Sequence, residues 1–118
     1  MPQIQRIGAH PRWSDVVIYN GVARWVEVAE DAAGDAQTQI AQILSQIDAT
    51  LASINSDRKQ LLEVLIFLSD LKHATALNTL WDAWVPAGHA PIRACVQAGL
   101  SGNYQVEMVI TAAASPPP

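Results

Sequence analysis

The stretch LLEVLIFLSDLKHATALNTLWDAW, residues 61–84, changes its period in the middle. Residues 61–69 are almost continuously apolar, the pattern of an interior strand covered on both faces. After Ser69 the spacing becomes helical. Leu71, Ala74, Leu77, Leu80, Trp81 and Trp84 fall on one stripe, with Asp70 in place to cap the helix. Pro86-Ala87-Gly88 stops it. A strand that passes into a helix and is followed by more strands implies at least one parallel, right-handed crossover.

Working outward, residues 36–54 carry a second amphipathic stripe: Ile40, Ile43, Leu44, Ile47, Leu51 and Ile54. Asp35 is its N-cap, and Asn55-Ser56-Asp57 ends it. Upstream, residues 13–19 (WSDVVIY) and 22–28 (VARWVEV) flank Asn20-Gly21, a strong two-residue hairpin signal. Residues 4–9 pair as an edge strand that His10-Pro11-Arg12 interrupts, and residues 29–35 are a polar connection. Residues 90–100 (APIRACVQAGL) and 104–113 (YQVEMVITAA) are two further strands, and 115–118 is a frayed tail. The order is β-β-β-α-β-α-β-β. An α+β fold follows, with one mixed sheet and both helices on a single face. The uncovered face of so apolar a sheet calls for self-association.

Composition bounds the rest. Residues 1–118 are enough for one domain. Half the chain is apolar and only 15% is charged, below the usual quarter or so. That deficit points to surface buried against other subunits. A net charge of -4 is a poor match for phosphate neutralisation, so nucleic acid is not an expected partner. The single cysteine, Cys95, excludes an internal disulfide. No apolar run approaches the ~20 residues of a membrane span, and MPQIQRIG has no signal-peptide core. The expectation is a cytoplasmic, soluble protein.

Two charges stand alone in apolar strands. Arg93 interrupts residues 90–100, where alternation puts it on one face with Cys95 and Gln97. Glu107 interrupts residues 104–113 and shares a face with Gln105, Val109 and Thr111. If both strands lie in the core sheet, each charge needs a partner or a ligand. Arg93 then has two readings: an ion pair at a subunit interface, or bidentate capture of a ligand carboxylate. Glu107 is either an edge charge in solvent or a general base that orients a water. Cys95 reads as a small buried hydrophobe whose backbone amide can assist anion binding. His10, His73 and His89 lack ligand spacing, so no metal is expected. Trp81 and Trp84 read as core, while Trp13 lines either a cleft or an interface. There is no Gly-rich phosphate loop and no G-x-S-x-G elbow.

With Arg93, Cys95 and Glu107 in hand, the segments PIRACVQAGL, VEMVI, LNTLWDAW and LLEVLIFLSDLKH resemble the Rid (YjgF-like) family of enamine/imine deaminases. The resemblance spans residues 7–113. RWSDVVIYN, LSQIDATLASI, WDAWVPAGHAP and RACVQAGL resemble its small YoaB-like bacterial branch. It implies a chorismate-mutase-like fold with a single six-stranded sheet and two helices, assembled as a homotrimer with three clefts between subunits. It also implies that another strand lies between the last two.

In the deaminase members, the residue matching Arg93 holds the substrate carboxylate. The backbone at Cys95 assists, the glutamate matching Glu107 orients water, and an asparagine matching Asn78 lies nearby. Trp13 stands where the family has a tyrosine that lines the cleft from the adjoining subunit. Val26-Glu27 replaces a Ser-Gly pair. The resemblance implies hydrolysis of 2-aminoacrylate-type or other 2-imino acids to 2-keto acids and ammonium, without cofactor or metal. The alternative is a non-catalytic trimer that binds 2-keto acids or related metabolites. Parts of the family are linked to RNA cleavage, which the acidic charge of this chain opposes.

Overall fold

The computed structural model describes residues 3–114, so the segment read as a frayed tail lies outside the described residues. Strands β1 (Gln5–Ala9), β2 (Ser14–Tyr19) and β3 (Val22–Val28) form an antiparallel meander. Asn20 and Gly21 join β2 to β3 with φ of 53° and 77°. Positive values at both positions match the twist of the flanking strands, which is why Asn-Gly sits there. Helix α1 (Ala36–Ser53), strand β4 (Leu61–Leu68), helix α2 (Ala74–Trp84), strand β5 (Ile92–Gln97) and strand β6 (Val106–Ala113) follow. The element order is the one the sequence predicts, with the strands trimmed at their ends.

The sheet order is β1-β2-β3-β6-β4-β5. Strand β6 enters between β3 and β4, antiparallel to both, while β4 and β5 run parallel across the α2 crossover. The last two strands are therefore not neighbours, as the resemblance implies. Both helices cover the same face. Ala23, Trp25, Val64, Ile66, Leu68, Met108 and Ile110 pack there with Ile40, Ile43, Ile47 and Leu51 of α1 and Leu77 and Trp81 of α2. Each fully buried aliphatic side chain of this kind contributes about 1.5–3 kcal/mol. Strand β6 alternates buried and half-buried positions along its whole length, as a strand covered on one side must.

Three expectations need correction. Residues 61–69 are not covered on both faces within one chain. Leu62 is exposed, and Leu65 and Phe67 are only half-buried on the bare face. Strand β5 is an edge strand, not a core strand, with every residue but Cys95 exposed. Leu71 points outward. Asp70 Oδ1 accepts from the Lys72 amide at 2.8 Å and caps a 3-10 turn, Leu71–His73, which sets Leu71 out of phase with α2.

Helix α1 starts where expected, with Asp35 Oδ1 accepting from the Thr38 amide at 2.8 Å. That bond holds the Asp35 carboxyl below the usual carboxylate range. One turn in lies Gln39, a fully buried polar side chain. Its Nε2 donates to the carbonyls of Gly34 (2.9 Å), Asn103 (3.0 Å) and Ala32 (3.3 Å), and its Oε1 accepts from the Gln105 amide at 2.8 Å. A single amide thus ties the loop before α1 to the loop before β6. Replacing it with an apolar side chain of similar size orphans buried backbone groups. Gln39→Leu is expected to lose about 2–3 kcal/mol in denaturant unfolding; an unchanged midpoint would show that the loops hold without it.

Candidate functional site

The ladder between β2 and β3 is short. It pairs Tyr19 with Val22, Ile18 with Ala23 and Val17 with Arg24, and goes no further. Residues 14–16 and 25–28 are unpaired with each other and line a hollow of about 770 Å³. Its wall includes Trp13, Val26, Val28 and Glu107. Gly8, opposite Asp15 in the β1–β2 hairpin, has φ of +62°, and the Asp15 carboxylate occupies the space that a Cβ there would need. Glycine at that position is what lets the Asp15 side chain lie across the hairpin.

Strand β6 places Glu107 beside Val28 on one side and Phe67 on the other. It is half-buried and on the bare face of the sheet, opposite in parity to Met108 and Ile110. Among the described residues no hydrogen bond or ion pair engages its carboxylate. Trp13, 61% exposed, stands at the rim of the same hollow. Its ring lies 5.0 Å from that of His10, and its carbonyl accepts from the His10 amide at 2.7 Å. His10 Nε2 in turn contacts Asp15 Oδ1 at 3.2 Å.

Arg93 is elsewhere. In the parallel β4–β5 ladder it pairs with Val64, and Cys95 pairs with Ile66, both of which face the helices. The Arg93 guanidinium lies 5.4 Å from the centre of the Trp81 ring, and no carboxylate pairs with it among the described residues. Asn78, exposed on α2, is three residues before Trp81 and so on the same side of that helix. The Cys95 side chain is half-buried against the core, as a small hydrophobe would be. As an edge strand, β5 leaves alternate backbone amides without a ladder partner.

The five residues singled out from sequence therefore fall into two groups. Trp13 and Glu107 share the hollow, while Arg93, Cys95 and Asn78 gather at the β5–α2 edge on the opposite face. The argument that Arg93 is a desolvated core charge does not hold within one chain, because its strand is exposed. Among the described residues no group of three or more His, Cys, Asp or Glu is disposed to hold a metal ion. No helix there is long and apolar enough to cross a membrane.

Residue-by-residue reading missed how Glu27 is held. On the helix side of the hollow it accepts from Trp25 Nε1 (3.1 Å), Gln46 Nε2 (2.9 Å) and Thr50 Oγ1 (3.0 Å). Three neutral donors hold this carboxylate, and among the described residues no ion pair engages it. The signal was present in the spacing: Trp25 and Glu27 share a strand face, and Gln46 and Thr50 sit one helical turn apart.

Three comparisons bear on this geometry. The family model described as Endoribonuclease L-PSP matches residues 3–114. The chain is 49% identical over 111 residues to the RutC family protein YoaB of Escherichia coli K12, covering 93% of this chain and 97% of that one. A solved YjgF-family protein from Neisseria meningitidis superposes with a TM-score of 0.89 at 38% identity, covering 98% of each chain. A Pseudomonas aeruginosa structure gives 0.91 at 38% identity, covering 96% of this chain and all of that one.

The Glu27 network yields a stability test. Glu27→Ala strips the acceptor from three donors and is expected to lose about 1–2 kcal/mol. At fixed protein concentration the melting temperature should fall by about 4–10 °C. Glu27→Gln, which keeps one acceptor, should fall by less. Equal losses in the two variants would mean that the hydrogen bonds contribute nothing.

Proposed function

Since this chain belongs to the Endoribonuclease L-PSP family, the YjgF/Rid proteins, we propose that it is an enamine/imine deaminase. It hydrolyses 2-imino acids to 2-keto acids and ammonium in clefts shared between subunits of a homotrimer. The observation that carries the reading is the separation of two unsatisfied charges. Glu107 faces a hollow on the bare side of the sheet, and Arg93 projects from an exposed edge strand on the other side. Neither has an ionic partner among the described residues. A second copy of the chain brings them together, with the Trp13–Glu107 hollow of one protomer facing the Arg93–Cys95–Asn78 edge of its neighbour. The exposed apolar side chains of the bare face, Val26 and Val96 among them, supply the driving force for that association.

In such a cleft the guanidinium takes the substrate carboxylate in two parallel hydrogen bonds. A 2-aminoacrylate-type enamine first tautomerises to its imine. Glu107 orients a water and takes one of its protons as the water oxygen bonds to the imine carbon. The C=N electron pair moves to nitrogen, which takes the proton that Glu107 removed from the water and leaves the carboxylate free again. The carbinolamine then collapses: the carbonyl forms, the C–N bond breaks, and ammonia leaves with the proton. Imine plus water gives keto acid plus ammonia, which takes a proton from solvent to become ammonium, with no redox change and no cofactor in the balance. Positioning and general-base help suffice for a reaction already quick in water. RNA cleavage fits less well, because a net charge of -4 repels a phosphate backbone.

The test uses imines generated by an amino-acid oxidase, with keto-acid release followed in time. Arg93→Ala and Glu107→Gln should each lower the rate by about 100-fold or more while the trimer persists. When the two variants are unfolded together and refolded, about a quarter of the clefts regain both residues, and activity should return to that extent. No recovery on mixing would defeat the shared cleft. A wild-type protein that binds keto acids but accelerates no imine would leave only a binding role.

A further inference from the structure

We infer that Trp13 is the residue that selects the substrate side chain, and that the preferred 2-imino acids carry a bulky apolar or aromatic group. The inference rests on the deaminase reading and deepens it. Trp13 is a large aromatic side chain left 61% exposed at the rim of the hollow that Glu107 lines. It is nonetheless held in place. The His10 ring packs against it at 5.0 Å, the His10 amide donates to its carbonyl, and Asp15 holds the His10 ring. An aromatic plane so braced loses little freedom when a ligand packs on it.

The rest of the wall agrees. Val26 is 55% exposed, and Val28 lies beyond it on the same face. Two of the three carboxylates that line the hollow are already engaged: Asp15 by His10, and Glu27 by Trp25, Gln46 and Thr50. Apart from Glu107 and the small hydroxyls of Ser14, Thr50 and Ser101, what remains for a side chain to touch is apolar: Trp13, Val16, Trp25, Val26 and Val28. The negative charges behind that surface disfavour an acidic side chain. In a single protomer, before any neighbour narrows it, the hollow of about 770 Å³ has room for more than a three-carbon imino acid. A poorly filled cleft leaves the substrate mobile relative to the water on Glu107.

The experiment compares oxidase-generated imines of phenylalanine, leucine, alanine and glutamate with wild type, Trp13→Ala and Trp13→Phe, with oligomeric state measured for each. Wild type should favour the phenylalanine-derived over the alanine-derived imine by about 10-fold or more in kcat/KM, with the glutamate-derived imine poorest. Trp13→Ala should collapse that ratio towards one, losing about 10-fold or more in kcat/KM on the phenylalanine-derived imine and much less on the alanine-derived one, and Trp13→Phe should keep most of the preference. A wild-type preference for the alanine-derived imine overturns the inference and leaves the deaminase reading standing. So does a Trp13→Ala variant that slows all imines equally, with or without loss of assembly, because Trp13 would then be interface packing. No acceleration of any imine by wild type removes both.

Discussion

Both helices lie on one face of a six-stranded sheet, and among the described residues nothing covers the other. The topology forces this. Helix α1 returns the chain from β3 to β4, α2 returns it from β4 to β5, and the short loops keep both crossovers on the same side. With no third helix, Leu65, Phe67, Val26 and Val109 are left half-buried or exposed on the far side. At about 25 cal/mol per Å² of apolar surface removed from water, covering these side chains with a second copy would be favourable. The low charged fraction of the chain follows from the same geometry, because a face that another copy covers has little use for charge.

Insertion of β6 between β3 and β4 then decides where the chemistry sits. It puts Glu107 on the bare face near the start of β6, opposite the last residue of β3, at the open end of the gap between β2 and β3. It also pushes β5 to the sheet edge, where Arg93 is exposed and steadied by the Trp81 ring. Buried polar groups fix the frame around both positions. Gln39 ties the loop before β6 to α1, and Glu27 ties the end of β3 to the same helix through Gln46 and Thr50. Near the other end of α1, Asp48 receives a two-pronged bond from Arg58, whose Nη1 also donates to the Trp84 carbonyl. Together these contacts register α1 against β3, β6 and α2, leaving the cleft wall little freedom to shift.

What the sequence makes legible is the part of the fold that is local. Asn20-Gly21 specifies its turn by backbone chirality, Asp35 specifies a helix start, and the stripes of both helices specify their buried faces. Strand parity is equally readable: Glu107 shares a face with Val109 and Thr111 because side chains alternate. The position of β6 is non-local, and no periodicity encodes it; the family resemblance supplied it. Leu71 escaped because a capping aspartate can start a 3-10 turn as readily as an α-helix, and the difference rotates one residue out of the core. Residues 90–100 misled for a deeper reason. An edge strand that another subunit covers has the same apolar composition as an interior strand, so the pattern cannot say which chain does the covering. Composition thus revealed that Arg93 was unusual but not that it faced away from Glu107. Similarly, the spacing of Trp25, Glu27, Gln46 and Thr50 shows which faces they share, but only the packing of β3 on α1 brings them together.

The separation of Arg93 and Glu107 within one chain has a chemical logic. Side by side in a folded monomer, they would pair with each other. Such a pair satisfies both groups, and a substrate carboxylate would have to break it to enter. Held on opposite faces of the sheet, neither can collapse onto the other. In the proposed assembly, the distance between the charges would be set by sheet geometry more than by side-chain flexibility, leaving a gap for a small acid to bridge. In the proposed reaction the guanidinium would be neutralised by the ligand, and Glu107 would be left to engage a water. On the proposed reading, a fold with one bare face would do two things at once: favour association of subunits, and keep the anion-binding cation and the general base of the site apart until they associate.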